Sequence, residues 1–299
     1  MTVDGPARPG QYVTDTRAWR RQRQRWADRH ADTSAVPDVV AERMFERLDL
    51  VRLPPGPILD LGCGRGVWTQ RLQERFRDRL VVGVEPAPAL ARAAADRLRP
   101  RPAWWPSIRQ APALVCAELH RSPFRPGSFA LIWSNLVLQW LPSPLAGWRD
   151  LGALLRPGGL LCFACPGPDT LRELAEAWRA SGRASPVPAF ADMHDLGDAL
   201  LAAGFADPVM DAERLTVTYP DAQSLWHELR GQGAADARQQ RPRGLMTPAA
   251  LARVRAALDE RIAVSLEVVQ GHAWWPETGP GRSLEGLPVV SFQPRRKAS

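Results

Sequence analysis

Short apolar runs alternate with helical segments through the first two thirds of the chain. Strands are predicted where the apolar residues are continuous, at 58–61, 80–84, 113–117, 129–133 and 160–164. Helices are predicted at 88–98 and 144–155, and the second of these is followed by a turn at 156–159. Continuous apolar strands are typical of a parallel sheet that is buried on both faces. Strands that alternate with helices therefore predict an α/β fold with helices on both sides of the sheet.

The flanking segments are mostly helical. Residues 15–53 have helical spacing with a break near Pro37, after a loose arm rich in Pro and Gly at 1–14. Further helices are predicted at 169–181, 193–203, 221–231 and 247–262, with extended segments near 207–219 and 263–273. No linker is evident, which favours one domain with insertions over two domains.

Composition excludes several classes of protein. The chain has 299 residues, 45% hydrophobic and 24% charged, as in ordinary globular proteins. No apolar run approaches the roughly 18–20 residues that cross a bilayer, and no secretory signal is recognised. Four scattered cysteines are too few for a disulfide framework. We therefore expect a cytoplasmic protein.

The net charge is +7, and Lys297 is the only lysine. The excess lies mainly in 17–29 and at 295–297. An acidic partner and a merely solvated surface both agree with this distribution.

The strand at 58–61 runs into a glycine-rich turn that contains Gly62, Gly64 and Gly66. Glycine lets the backbone come close to a ligand, and the helix after the turn presents free amides. The spacing G-x-G-x-G differs from the nicotinamide fingerprint, which has a glycine where Val67 stands here.

Two carboxylates accompany the turn. Asp60 precedes it and suits a cationic amino-acid group, whereas it would repel a pyrophosphate. Glu85 ends the second strand, where it can accept hydrogen bonds from two ribose hydroxyls. Together they indicate S-adenosylmethionine (SAM) rather than NAD.

With these features the chain resembles class I SAM-dependent methyltransferases, and more narrowly the malonyl-acyl-carrier-protein O-methyltransferases of biotin synthesis. The narrower likeness depends on separate blocks in the expected order: 134–140, 167–174, 192–198, 208–211 and 271–274.

The resemblance implies a Rossmann-like, seven-stranded, mainly parallel sheet whose last strand is antiparallel. It implies that Asp60 and the three glycines line the methionine part of SAM, and that Glu85 holds the ribose. Glu118 would lie near the adenine amine, and Asn135 at the mouth of the site.

The chain departs from the family pattern at several positions. Family members usually have tyrosines where this chain has His30, Leu266 and Gln270, and an aspartate in place of Ala130. The SAM loop is intact.

Methyl transfer to a malonyl carboxylate needs no general base, because that group is ionised at neutral pH. A cation or donor must orient it, and Arg172 and His194 are the candidates. Arg172 can instead form a surface ion pair, and His194 can instead cap a helix beside Asp192. Cys162 and Cys165 lie on a predicted strand and point to opposite faces, so we expect no metal site.

The domain prediction is an arm at 1–14, a helical lid at 15–53, a methyltransferase domain at 54–275 and a tail at 276–299. Insertions at about 168–205 and 220–262 would form a substrate cover.

The predicted partner is malonyl-loaded acyl carrier protein, with no nucleic acid or membrane partner, and a monomeric state. Two alternatives stay open: a related SAM-binding protein that hydroxylates a protein arginine, and a SAM-binding assembly factor without catalysis.

Overall fold

The computed structural model describes residues 12–27, 35–99, 111–118, 120–143, 147–242, 244, 246–258 and 262–277. His30, most of the arm at 1–14 and the basic residues at 295–297 lie outside these ranges.

Seven strands form one sheet in the order β3-β2-β1-β4-β5-β7-β6. Their bounds are β1 Ile58–Leu61, β2 Val81–Val84, β3 Ala113–Val115, β4 Phe129–Asn135, β5 Leu155–Pro166, β6 Ala206–Tyr219 and β7 Ile262–Trp274. Strands β1 to β5 pair in parallel, and β7 pairs antiparallel with both β5 and β6. The predicted mainly parallel sheet with an antiparallel last strand is confirmed.

Nine α-helices are present in the described residues. Their bounds are α1 Thr16–Trp26, α2 Ala35–Arg47, α3 Val67–Arg75, α4 Pro88–Arg97, α5 Trp148–Leu154, α6 Arg172–Ala180, α7 Met193–Ala203, α8 Ala222–Gly231 and α9 Pro248–Ala256. None of the helices described is both long and apolar enough to cross a membrane.

Alternation along the strands divides the core between the two faces of the sheet. Leu59 and Ile132 belong to one buried cluster, and their chain neighbours Ile58 and Leu131 belong to the other. This is the pattern of a sheet covered on both faces.

A third hydrophobic cluster lies apart from both, where the long β6–β7 pair extends beyond the rest of the sheet. It joins α6 and α8 to the outer part of that pair. Its buried members are Leu171, Leu174, Tyr219, Leu225, Ile262 and Val264.

The segment predicted to be helical with a break near Pro37 contains two helices, α1 and α2. Pro37 lies in the first turn of α2, where a missing backbone N–H leaves no hydrogen bond unmade. One local prediction was wrong. The turn predicted at 156–159 falls inside β5, as an irregularity in its pairing with β4.

The predicted cover is smaller than the insertions proposed for it. Helix α7 packs its buried Leu196 and Leu200 into the cluster on one face of the sheet. Only the earlier part of 168–205, which includes α6, approaches the cavity described next.

Candidate active site

A cavity of about 500 Å³ opens at the carboxyl ends of β1 and β4, where open α/β sheets bind ligands. Asp60, Gly62, Gly64 and Asn135 line it. The structure therefore brings together four of the seven residues predicted to hold SAM.

The turn after β1 needs glycine for two different reasons. At Gly62, φ is +85°, and a Cβ atom would lie 2.6 Å from both methyl carbons of Val137. At Gly66, φ is +75°, and a Cβ atom would lie 3.1 Å from Cβ of Ala94. Gly62 makes room for the Val137 side chain at the edge of the cavity, whereas Gly66 does not line the cavity and permits close packing of α3 against α4.

Asp60 is a buried carboxylate, 3% exposed, with no ion pair to any residue that the structure describes. Its Oδ2 accepts a hydrogen bond of 2.6 Å from the Thr69 hydroxyl. The pKa of Asp60 is raised to about 7: burial raises it most, the hydrogen bond from Thr69 lowers it, and the nearby negative charge of Glu85 raises it. A cationic ligand group would compensate this charge.

Glu85, directly after β2, is fully buried and surrounded by donors. Backbone N–H groups donate to it from Gly64 at 3.1 Å and from Ala87 at 2.9 Å. Arg23 of α1 donates to both carboxylate oxygens, from Nη2 at 2.9 Å and Nε at 3.3 Å. Because α1 covers this carboxylate, Glu85 does not line the cavity.

Glu118 is covered in the same way. Arg20 of α1 donates to its Oε1 from Nη1 at 2.6 Å, and Glu118 does not line the cavity. Arg20 and Arg23 are three residues apart and share one face of the helix. The two carboxylates predicted at the ribose and the adenine are therefore both paired with α1.

Asn135 and Gln139 each leave one buried acceptor without a partner. Their amide nitrogens donate at 2.8 Å to the carbonyl oxygens of Pro37 and Leu136, respectively. The side-chain oxygens, Oδ1 and Oε1, have no hydrogen-bond partner among the described residues, and both residues line the cavity. Unpaired buried acceptors are uncommon in proteins. Here they agree with a ligand that carries N–H groups.

These acceptors and the carboxylate of Asp60 are oxygen groups of the kind that bind an ammonium group. Gln139 was not predicted as a site residue, although it belongs to the block at 134–140. Tyr12, also not predicted, donates from its hydroxyl to the Gln139 backbone oxygen at 2.8 Å and packs edge-on against Phe190.

The wall away from the glycine turn is mostly apolar. It is formed mainly by α6, α8, the segment before α7 and the middle of β7. Its apolar residues include Leu171, Leu174, Trp178, Val187, Phe190, Trp226, Leu229 and Leu266.

The two predicted substrate-orienting residues lie outside the cavity lining. Arg172 is exposed, and its Nε donates to Glu173 at 3.1 Å. His194 is exposed in the first turn of α7, whose cap is Asp192, which accepts from the Asp195 amide at 2.7 Å. Neither side chain reaches the cavity.

Cys162 and Cys165 lie on opposite faces of β5, as predicted, because each belongs to a different core cluster. Burial raises the pKa of each thiol to about 12. Both are therefore core residues and stay protonated at neutral pH.

Comparison with known proteins identifies the family. A family model described as a methyltransferase domain matches residues 18–207. Malonyl-[acyl-carrier protein] O-methyltransferase of Laribacter hongkongensis is 40% identical over 293 residues, covering 96% of this chain and 99% of its own length. The enzyme of the same name from Halorhodospira halophila is 41% identical over 276 residues, covering 90% of this chain and 91% of its own length.

Solved structures agree on the fold. The crystal structure of the YcgJ protein from Bacillus subtilis superposes with a TM-score of 0.54 at 11% identity, covering 79% of this chain and 99% of that one.

Proposed function

The chain belongs to the malonyl-[acyl-carrier protein] O-methyltransferase family, and we propose that it methylates the free carboxylate of malonyl-acyl-carrier protein with SAM as donor. By the family resemblance, this reaction masks the charge of the malonyl group at an early step of biotin synthesis. The observation that carries the methyl-donor part is the buried, uncompensated carboxylate of Asp60 in a cavity with two unpaired acceptors.

SAM supplies a methyl group on a sulfonium centre that carries its own leaving group. Asp60 and the side-chain oxygens of Asn135 and Gln139 bind the ammonium group in this proposal. The turn at Gly62 and Gly64 lets the backbone pass close to the methionine part.

Glu85 and Glu118 act on the nucleoside part in the same proposal. Glu85 can accept hydrogen bonds from the ribose hydroxyls only after Arg23 has moved from its oxygens. Glu118 likewise becomes free for the adenine amine when Arg20 moves. Cofactor binding therefore requires the side chains of Arg23 and Arg20 to leave these two carboxylates.

The rest of the cavity aligns the reactants and excludes water. A malonyl carboxylate is already ionised at neutral pH, so the chain need not remove a proton from it. The apolar wall can hold the carboxylate oxygen near the methyl carbon, at roughly the 3–3.5 Å separation of a near-attack geometry. Exclusion of water also strengthens the electrostatic interactions within the site.

A cytoplasmic location and a monomeric state belong to the same proposal. Malonyl-acyl-carrier protein is a cytoplasmic substrate.

The test is to incubate the protein with SAM and malonyl-acyl-carrier protein and to weigh the carrier by mass spectrometry. We expect one added methyl group, which mild alkaline hydrolysis removes. Acetyl-acyl-carrier protein is the matched control, because it has no free carboxylate and should stay unmodified. An unmodified malonyl carrier in a sample that demonstrably binds SAM would refute the proposal.

A further inference from the structure

A second cavity, of about 520 Å³, adjoins the first. It lies between α6, α8 and α9. Three residues line both cavities, namely Trp178, Trp226 and Arg230. The other described residues around it are Gln223, Met246, Leu251 and Arg255. The two spaces therefore meet at a common wall, one on the SAM side and one toward α9.

The second cavity is positively charged. Arg230 and Arg255 are its only charged lining residues among those described, so no carboxylate faces them there. Arg230 stacks on the Trp26 ring at 6.0 Å, and neither arginine forms an ion pair with a described residue. Paired guanidinium groups are well suited to binding a phosphate.

The common wall also holds two unused donors. The indole nitrogens of Trp178 and Trp226 are buried and have no hydrogen-bond partner in the part of the chain that the structure describes. A buried N–H group without an acceptor costs free energy. A carbonyl oxygen placed between the cavities would remove that cost.

We propose that the second cavity binds the phosphopantetheine arm of the carrier, with its phosphate at Arg255 and Arg230. The arm has one phosphate at the protein end, amide carbonyls along its length and the malonyl thioester at its tip. The phosphate would meet the two arginines, the amide carbonyls would meet the two indole donors, and the malonyl thioester would reach the first cavity. This inference rests on the proposed function, because it takes malonyl-acyl-carrier protein as the substrate.

The test compares two small substrates that differ only in the phosphate: malonyl-phosphopantetheine and malonyl-pantetheine. For the wild type, we expect KM to be about tenfold lower for the phosphorylated substrate, the size of one charge-assisted contact. Arg255→Met keeps a long, unbranched side chain but removes the positive charge. It should raise KM for the phosphorylated substrate alone and leave kcat unchanged.

Arg253→Met is the matched control. Arg253 is exposed on the same helix but lines neither cavity, so this variant should keep the wild-type preference. Trp226→Phe keeps an aromatic ring without the donor, and it should raise KM for both substrates alike. Circular dichroism checks that each variant is folded.

Two outcomes overturn the inference while leaving the proposed function intact. One is an equal KM for both substrates in the wild type. The other is an equal loss of preference in Arg253→Met and Arg255→Met, which would indicate general charge attraction rather than a site.

If the protein methylates neither small substrate and does not methylate the carrier itself, the proposed function is refuted. Calorimetric titration of the SAM-free protein with phosphopantetheine and with pantetheine measures the phosphate preference without turnover. Tighter binding of phosphopantetheine than of pantetheine would support the inference even if no methylation is seen, and equal binding would refute it.

Discussion

Replacing Asp60 by asparagine removes the negative charge that we expect to pair with the SAM ammonium group. The carboxylate is buried, and its pKa is raised to about 7. SAM should bind the ionised form, so binding must remove the proton whenever the pH is below 7.

The pKa of Asp60 sets the expected change of the Kd for SAM with pH. Between pH 8 and pH 7 the Kd of the wild type for SAM should change little. Below pH 7 it should rise by about tenfold for each pH unit, which is 1.36 kcal/mol per unit. Asp60→Asn should show a Kd that does not vary over this range. At pH 8 it should bind about 10- to 100-fold more weakly, for the loss of a hydrogen bond to a charged group.

Asp60→Asn should weaken SAM binding but increase the folding stability of the SAM-free protein. Because the folded protein holds the Asp60 proton more tightly than the unfolded chain, ionisation of this group costs stability as the pH rises from about 4 through 7. Asp60→Asn should therefore be more stable than the wild type at pH 8, by on the order of 2–4 kcal/mol, and equally stable at pH 4.

Isothermal titration calorimetry with SAM from pH 5 to pH 8 measures the first effect, and urea denaturation of the SAM-free protein measures the second. Asp150→Asn, at an exposed position in α5 outside the cavity, is the control and should follow the wild type in both. A wild-type Kd that is constant from pH 5 to pH 8, or a variant Kd with the wild-type slope, would show that the reasoning about this carboxylate is wrong.

Three further predictions concern the same half of the cavity. Arg23→Met removes the guanidinium that covers the Glu85 carboxylate. The SAM-free protein should lose about 3–5 kcal/mol of stability, while SAM should bind more tightly. Weaker SAM binding by calorimetry would instead show that Arg23 contributes to the SAM-bound form. Gly62→Ala places a Cβ atom 2.6 Å from the Val137 methyl carbons at a φ of +85°. It should cost about 1–3 kcal/mol in urea denaturation, and a fully stable variant would contradict this. Thr69→Val removes the hydroxyl that donates to Asp60, so the pKa of Asp60 should rise and SAM binding at pH 7 should weaken by up to about tenfold; an unchanged Kd would count against the role of this hydrogen bond.

The residues on the glycine-turn side of the cavity could be predicted from the sequence because their signals are local. The glycine turn and Asp60 are contiguous with one strand, and the fold class fixes the edge of the sheet at which that strand ends. Asn135 follows another strand that ends at the same edge, so its place in the cavity required no knowledge of side-chain packing.

The pairing of α1 with the two glutamates could not be predicted in this way. Arg23 lies 62 residues from Glu85, and Arg20 lies 98 residues from Glu118. Nothing in the spacing of arginines along α1 indicates which carboxylates the helix will cover. That choice depends on how α1 packs against the sheet.

The substrate side was harder to predict because long-range packing decides which face of a helix meets the cavity. At the start of α6, Glu173 turns inward and accepts from both the amide and the hydroxyl of Ser265 in β7. Its neighbour Arg172 is thereby directed outward. The missed Gln139 lies in a short 3-10 helix, where no regular spacing marks a side chain as facing the cavity.

The third hydrophobic cluster, between α6, α8 and the outer β6–β7 pair, is packed separately from the clusters on the two faces of the sheet. A region packed in this way can unfold locally while the rest of the structure stays folded. Substitutions there can also reshape the acceptor side without touching the residues around Asp60. A lineage could thus exchange one methyl acceptor for another through changes in this region alone, and keep both the fold and the donor.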